Sequence, residues 1–423
     1  MLILALALLT QDAVEEAVKS VSAENMKAVL TELAGDAFEG RNAGTEGNVK
    51  AADWIIERLK KWNFEPFGDE KDGKRDFRQR FEFSDGMETA NLVAMIPGSD
   101  ETLKEQIVVV GAHMDHVGRD GQPNAGRMGR PSDEDDIWNG ADDNGSGTTC
   151  LLEVARAFAD GGIKPRRTVV FMWFSAEEWG LLGSRYYTKH PSAPIGRHVA
   201  MVNLDMVGRN PGKPVEISAL KTSDDWAGLL EEAARSADLE YDTSPGVTGG
   251  SDHKSFADAG VPAVHFFTGF HEDYHRNSDH ADEIAYDRMA EIGRMVLKLT
   301  VLLADRDAPP AFNESGAPVR TSGRTLGING DVLGPDDAEK FGMPADAGGI
   351  WIETVQEGSV AEKAGIREDD VLVEFNGERL PAAEREIMQK LKTLIRKVEK
   401  GKDVPVAVIR DKKRVELKVR WDE

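Results

Sequence analysis

The chain has 423 residues, 52 of them basic and 75 acidic, for a formal net charge of −23 at pH 7. A hydrophobic content of 40% with 8 Trp and 16 Phe excludes a wholly disordered chain, and the length holds two or three domains. The acidic balance argues against nucleic acid and anionic membrane surfaces as partners, and a lone Cys150 excludes an intrachain disulfide.

From the amino terminus, Leu2 to Leu9 is one apolar run. It is too short for a membrane helix of ~20 residues and matches the h-region of a secretory signal. No Lys or Arg precedes it, and the only A-x-A site, Ala5-Leu6-Ala7, lies inside it. The expectation is a signal segment and start over 1–20 and a secreted or periplasmic protein. No later segment reaches membrane-spanning length without charges. Asp12 to Leu33 reads as helical, and a second amphipathic helix runs from about Asn48 to Trp62 on Ala51, Trp54, Ile55, Arg58 and Leu59. A Gly-rich turn, Glu39-Gly40-Arg41-Asn42-Ala43-Gly44-Thr45, separates them. Three apolar β-branched runs follow, Gln106–Gly111, Arg167–Phe174 and His198–Leu204, with a helix over Gly147–Asp160 between the first two. Such alternation predicts an α/β fold with a mostly parallel central sheet flanked by helices. Asp305 to Gly323 is rich in Pro, Gly, Ser and Ala and reads as a linker, and short strands then return around one helix over Ala383–Lys400. The expected domains are 21–304, a linker over 305–323, and a small α+β domain over 324–423.

The chemically loaded residues cluster where apolar strands empty into loops. The first strand runs into His113-Met114-Asp115; a polar loop leads to Asn139-Gly140-Ala141-Asp142-Asp143-Asn144; the second strand ends in Ser175-Ala176-Glu177-Glu178; the third ends in Asp205; and His275 lies in Asp273-Tyr274-His275-Arg276. Ligands bind outside the carboxyl ends of strands in open α/β sheets. A lone Asp at a strand end usually caps the next helix, and a lone His is usually a satisfied hydrogen-bonding residue. Jointly, two His and three carboxylates are N/O donors suited to zinc, and they exceed the three that one catalytic ion needs. A carboxylate shared between two metals accounts for the surplus.

The string GAHMDHVG…NGADDNGSG…SAEEWGLLGS…NLDMVGR…DYHRNSD resembles the M28 family of zinc aminopeptidases, over roughly Glu39 to Ala290. The resemblance implies a zinc-exopeptidase fold, two Zn2+ per chain, and peptides with free N-termini as substrates. It assigns His113 and Asp205 to one zinc, Glu178 and His275 to the other, and Asp142 as the bridge. It makes Glu177 the general base, Asp115 the group that orients the His113 imidazole, and Tyr274 either an oxyanion donor or a packed aromatic. Ser251 and Asp252, in a stretch resembling the family's SDH motif, would flank the substrate. His116, His253, His265, His271 and His280 fall off the ligand positions and read as structural. The acidic loop Val117–Trp138 is either solvated or a rim favouring a cationic amine.

Leu326-Gly327-Ile328 and the run Gly358-Ser359-Val360-Ala361-Glu362-Lys363-Ala364-Gly365-Ile366 through Asn376-Gly377 resemble a PDZ domain. That likeness implies a groove for a C-terminal peptide lined by Leu326, Gly327 and Ile328. Other readings stay open: another hydrolase or a glutaminyl cyclase-like acyltransferase on the same scaffold, or an inactive peptide-binding protein.

Overall fold

The computed structural model describes residues 12–421, apart from 124–125, 130, 133–134, 245–249, 314–325, 334–337, 345–346, 356–357, 382–386, 388–389, 392–393, 396 and 399–400. The Leu2–Leu9 run, Asp133 and Glu134, most of the expected linker and most of the expected helix 383–400 lie outside the described residues. The chain forms two compact units, Met1–Asn124 with Arg130–Pro318, and Ala125–Gly129 with Val319–Glu423.

The first unit is built on one sheet. Its strands are β1 (Glu65–Pro66), β4 (Arg78–Glu82), β5 (Glu88–Ile96), β6 (Ile107–His113), β7 (Thr168–Phe174), β8 (His198–Leu204), β9 (Val215–Ser218), β10 (Tyr241–Thr243) and β11 (Ala263–Phe267); β2 (Glu70–Lys71) and β3 (Lys74–Arg75) form a separate hairpin. The order is β1-β5-β7-β6-β8-β11-β9-β10, with β4 on β5. The central run β7-β6-β8-β11 is parallel, and antiparallel pairs flank it on both sides.

The three apolar runs are buried throughout their central residues, yet they still alternate. Val108, Val110, Val169, Phe171 and Trp173 enter one core with helices Ala23–Leu33, Gly147–Asp160 and Tyr286–Asp305. Val109, Val170, Met172 and Phe174 enter another with Tyr187, Phe256 and Val261. A sheet covered on both faces has no need of polar positions, which is why these strands read as continuous apolar runs. Each large side chain so buried contributes ~1.5–3 kcal/mol.

The helix over Gly147–Asp160 and strand β8 match the sequence expectation to the residue. The long first helix does not: residues 12–20 are helical, the chain breaks at Val21-Ser22, and Ser22 caps a new helix by accepting from the Asn25 N–H. The beginning of the expected linker is fastened to the first unit. The Arg306 carbonyl accepts from Arg167, and Asn313 N–H donates to the Thr222 carbonyl at 2.8 Å.

The second unit is an antiparallel sheet, β12 (Ile328–Val332), β13 (Ile350–Val355), β14 (Val371–Phe375), β16 (Asp403–Arg410) and β17 (Lys413–Arg420), with β15 (Glu378–Arg379) on β14. Asn376-Gly377 turns β14 into β15 with both residues at positive φ, 54° and 77°. Ser359 caps the short helix Val360–Lys363 by accepting from the Glu362 N–H, and the Glu362 carboxylate accepts from Gly358 N–H. Buried Asp370 holds the sheet to that helix's end through two 2.7 Å bonds from Arg410, whose Nη2 also donates to the Gly365 carbonyl.

Candidate metal and catalytic site

Register brings the site together. His113, last in β6, lies opposite Phe174, last in β7, and Gly111 lies opposite Asn203 of β8. The residues that follow these strands therefore leave the sheet at one edge: Asp115 after β6, Glu177 and Glu178 after β7, Asp205 after β8. The backbone bends sharply there. Ala176, Met206 and His275 all have positive φ (58°, 49° and 55°), a conformation costing ~1–2 kcal/mol for a residue with a Cβ.

Asp143 stands at the centre. Its Oδ1 is 3.4 Å from His113 Nε2, which is also 3.3 Å from Asp205 Oδ1. Its Oδ2 is 3.0 Å from His275 Nε2, which is also 3.0 Å from Glu178 Oε2. One carboxylate thus offers one oxygen to each of two donor sets. Ligand atoms ~2.0–2.2 Å from one tetrahedral zinc lie ~3.4 Å from each other, so both sets have the chemistry and spacing for such an ion. His113–Asp143–Asp205 and His116–Asp143–Glu178 each place three donor atoms within 4.8 Å of one another.

This corrects the expectation for Asp142. Its Oδ1 accepts from Gly208 N–H at 2.7 Å and its Oδ2 faces His271 Nε2 at 3.2 Å, so it points away from both donor sets. His271 thus pairs with Asp142 outside both donor sets. Burial opposes its charge, but Asp142 and Asp279 outweigh this and raise its pKa.

Asp115 is also placed differently. Its main-chain carbonyl is 3.1 Å from His113 Nδ1, while its carboxylate is 3.7 Å away. The carboxylate instead accepts from the backbone N–H groups of Glu177 and Glu178, at 3.2 and 3.4 Å. It therefore ties the β7 loop to the β6 loop. Glu177 lies beside the first set, with Oε2 3.9 Å from His113 Nε2. Burial pushes its pKa well up; His113 opposes this and Asp205 reinforces it. For Asp143 burial pushes the same way, but bonds from His113 and His275 prevail and hold it well below the usual carboxylate range.

The Asp142–Asp143 loop is gripped from two sides. Asp279 Oδ2 accepts from the N–H groups of Asp142 and Asp143 at 2.9 and 3.1 Å, and its own carbonyl accepts from Ala141 N–H. Arg41, wholly buried, donates to the carbonyls of Asn139 and Gly140 in the loop and of Met114 after β6, at 2.7 to 3.0 Å, and to Leu33. Burial lowers its pKa to about 10, against the pull of Asp279, Asp115, Asp143 and Glu178. Neither role was read from the sequence, although Arg41 stands in the Gly-rich turn and Asp279 ends the His275 motif.

Tyr274 stacks on His275 with ring centres 3.9 Å apart and meets Phe270 edge-on, so its ring packs against the site. Phe270 is half exposed. Ser251 and Asp252 are fully buried, and the Asp252 carboxyl is within electrostatic reach of Glu177, His113 and Asp205. Ser251 Oγ accepts from Asn203, and burial raises the Asp252 carboxyl to about 7. His253 and His265 stack face to face at 4.4 Å. In the second unit, the Leu326 carbonyl accepts from Ala361 N–H, Gly327 has φ 76°, and Ile328 opens β12, an edge strand of the described sheet.

Comparison with known proteins gives the family and the fold. Residues 91–300 match the model of peptidase family M28, and residues 351–410 match a PDZ domain model. A probable leucine aminopeptidase of Arthroderma otae is 29% identical over 295 residues, spanning 66% of this chain and 72% of its own length. Among solved structures, a Zn-dependent exopeptidase from Parabacteroides distasonis aligns with a TM-score of 0.54 at 20% identity, covering 67% of this chain and 98% of that one. Porphyromonas gingivalis glutaminyl cyclase aligns equally, at 0.54 and 20%, over 66% and 97%. These two likenesses are of fold.

Proposed function

From a chain that carries a peptidase family M28 domain and a PDZ domain, we propose a zinc aminopeptidase that removes N-terminal residues from peptides. His113 and Asp205 would hold one zinc, Glu178 and His275 a second, with Asp143 between them. The observation that carries this reading is the split of the Asp143 carboxylate, one oxygen toward each donor set. Bound there, zinc supplies Lewis acidity toward the scissile carbonyl and the attacking water.

The protein's own groups do the rest. Glu177, adjacent to a ligand but outside both donor sets, takes the proton from the water and delivers it to the leaving amine. Asp115 fixes the Glu177-Glu178 backbone, so acid and ligand keep their separation. Tyr274 packs His275 in place. Intact donors on both sides of Asp143, with Glu177 free of them, favour hydrolysis over the acyl transfer of a cyclase. The PDZ domain would take a C-terminal peptide along β12, beside Leu326, Gly327 and Ile328.

Two measurements test the reading. Chelation is expected to abolish peptide hydrolysis and zinc to restore it. Glu177→Gln is expected to lower kcat by ~10²–10⁴-fold with zinc content unchanged. A variant that keeps full kcat would remove Glu177 from the proton transfer.

A further inference from the structure

His116 is a donor that the proposed ligand set does not use. It is wholly buried, three residues after His113, and its ring lies 5.6 Å from that of His275. Its Nδ1 is 2.8 Å from Glu178 Oε1, the oxygen turned away from His275. Its Nε2 has no hydrogen-bond partner among the described residues.

The proton's position follows. On Nε2 it would leave a buried N–H unpaired and set the Nδ1 lone pair against Oε1 at 2.8 Å. On Nδ1 it makes a charge-assisted hydrogen bond. This contact is shorter than those at the donor sets, which are 3.0 Å at His275 Nε2 and 3.3 to 3.4 Å at His113 Nε2, and it uses the other Glu178 oxygen. Ligands of one tetrahedral zinc stand ~3.4 Å apart, as His113 Nε2 does from Asp143 and Asp205, at 3.4 and 3.3 Å. His116 Nδ1 sits at hydrogen-bond length from Glu178 and 3.9 Å from Asp143 Oδ2. The ring packs against Gly140, whose φ is 56° and where a Cβ would run into the imidazole.

We propose that His116 is a positioning residue: its Nδ1–H holds Oε1 of Glu178, which leaves Oε2 as the single oxygen presented to the ion shared with His275 and Asp143. The inference rests on the metal reading above. It gives His116 a task that neither the ligand set nor the general base performs. Outer hydrogen-bond partners of metal ligands change metal affinity or activity by ~10–100-fold when lost.

The side-chain amide of Asn can place its nitrogen where Nδ1 stands; that of Gln reaches the place of Nε2. The experiment is chelator-competition titration of zinc on the full chain, with the metal-free unfolding temperature of each variant measured beside it. His116→Asn is expected to stay within about threefold of the parent's zinc affinity, and His116→Gln to fall ~10–100-fold. His116→Ala supplies the arm without a donor if the Gln variant does not fold. Asn as weak as Gln would make His116 a ligand, and both equal to the parent would leave it no role; either result overturns the proposal, as does any ranking other than Asn above Gln. A parent chain that binds no zinc would instead overturn the metal reading, and this inference with it.

Discussion

Asp142 and Asp143 are consecutive carboxylates with different surroundings, and nothing in their order separates them. Both are acidic, both follow a Gly-Ala turn, and both are buried. The loop directs one toward Gly208 and His271 and the other between His113 and His275, because Asp279 holds the two N–H groups on the opposite side. The sequence carried the ligand types but not this orientation, which depends on a residue 136 positions further along. His116 reads from the sequence as structural, although it is a second imidazole three residues after His113 in His-Met-Asp-His, and the fold sets it against Glu178. Asp143→Asn is expected to reduce bound zinc and to lower kcat at least ~100-fold, whereas Asp142→Asn keeps zinc within about tenfold of the parent. Zinc per chain by atomic absorption, read beside kcat, checks the order; the reverse order would return the bridge to Asp142.

Strands were the legible elements, since a sheet buried on both faces writes itself as apolar runs, and their carboxyl ends located the site. Shorter pieces were not. Helices Leu182–Lys189 and His253–Asp258 and strands β9 and β10 are brief, and tertiary packing rather than local periodicity defines them. Away from the site edge, the start of β8 has its own chemistry. His198 is buried between the Tyr187 hydroxyl, 2.8 Å from Nε2, and the Pro194 carbonyl, 3.3 Å from Nδ1. Burial lowers its pKa from 6.5 to about 4. The unfolded chain therefore binds a proton at this residue at a higher pH than the folded one does, so stability is full above pH 6.5 and falls as pH drops toward 4. Over that window the loss is about 3 kcal/mol, at ~1.4 kcal/mol per unit. Urea unfolding with EDTA present, from pH 7.5 to 4, is expected to show a smaller acid loss for His198→Gln by about that amount. Parallel profiles for parent and variant would mean that His198 is protonated in the fold.

At the scale of the molecule, the acidic balance is borne by two units with separate cores. No described helix is long and apolar enough to cross a membrane. The first unit carries every donor named above, while the second carries the edge strand β12 and the buried Asp370–Arg410 pair. Composition argued against some partners but carried no chemistry; the motifs did, because Asp115, Glu177, Glu178 and Asp205 follow strands of one parallel run, and the loops carrying Asp143 and His275 return to the same edge. The central claim is that this edge releases residues from a free amino terminus with the help of bound metal. Hydrolysis of leucine p-nitroanilide by zinc-loaded protein, beside its N-acetylated counterpart and a chelated control, tests it most directly. Cleavage of the free amine alone, lost on chelation, is the predicted result. Equal cleavage of both substrates, or cleavage that survives complete chelation, would contradict it.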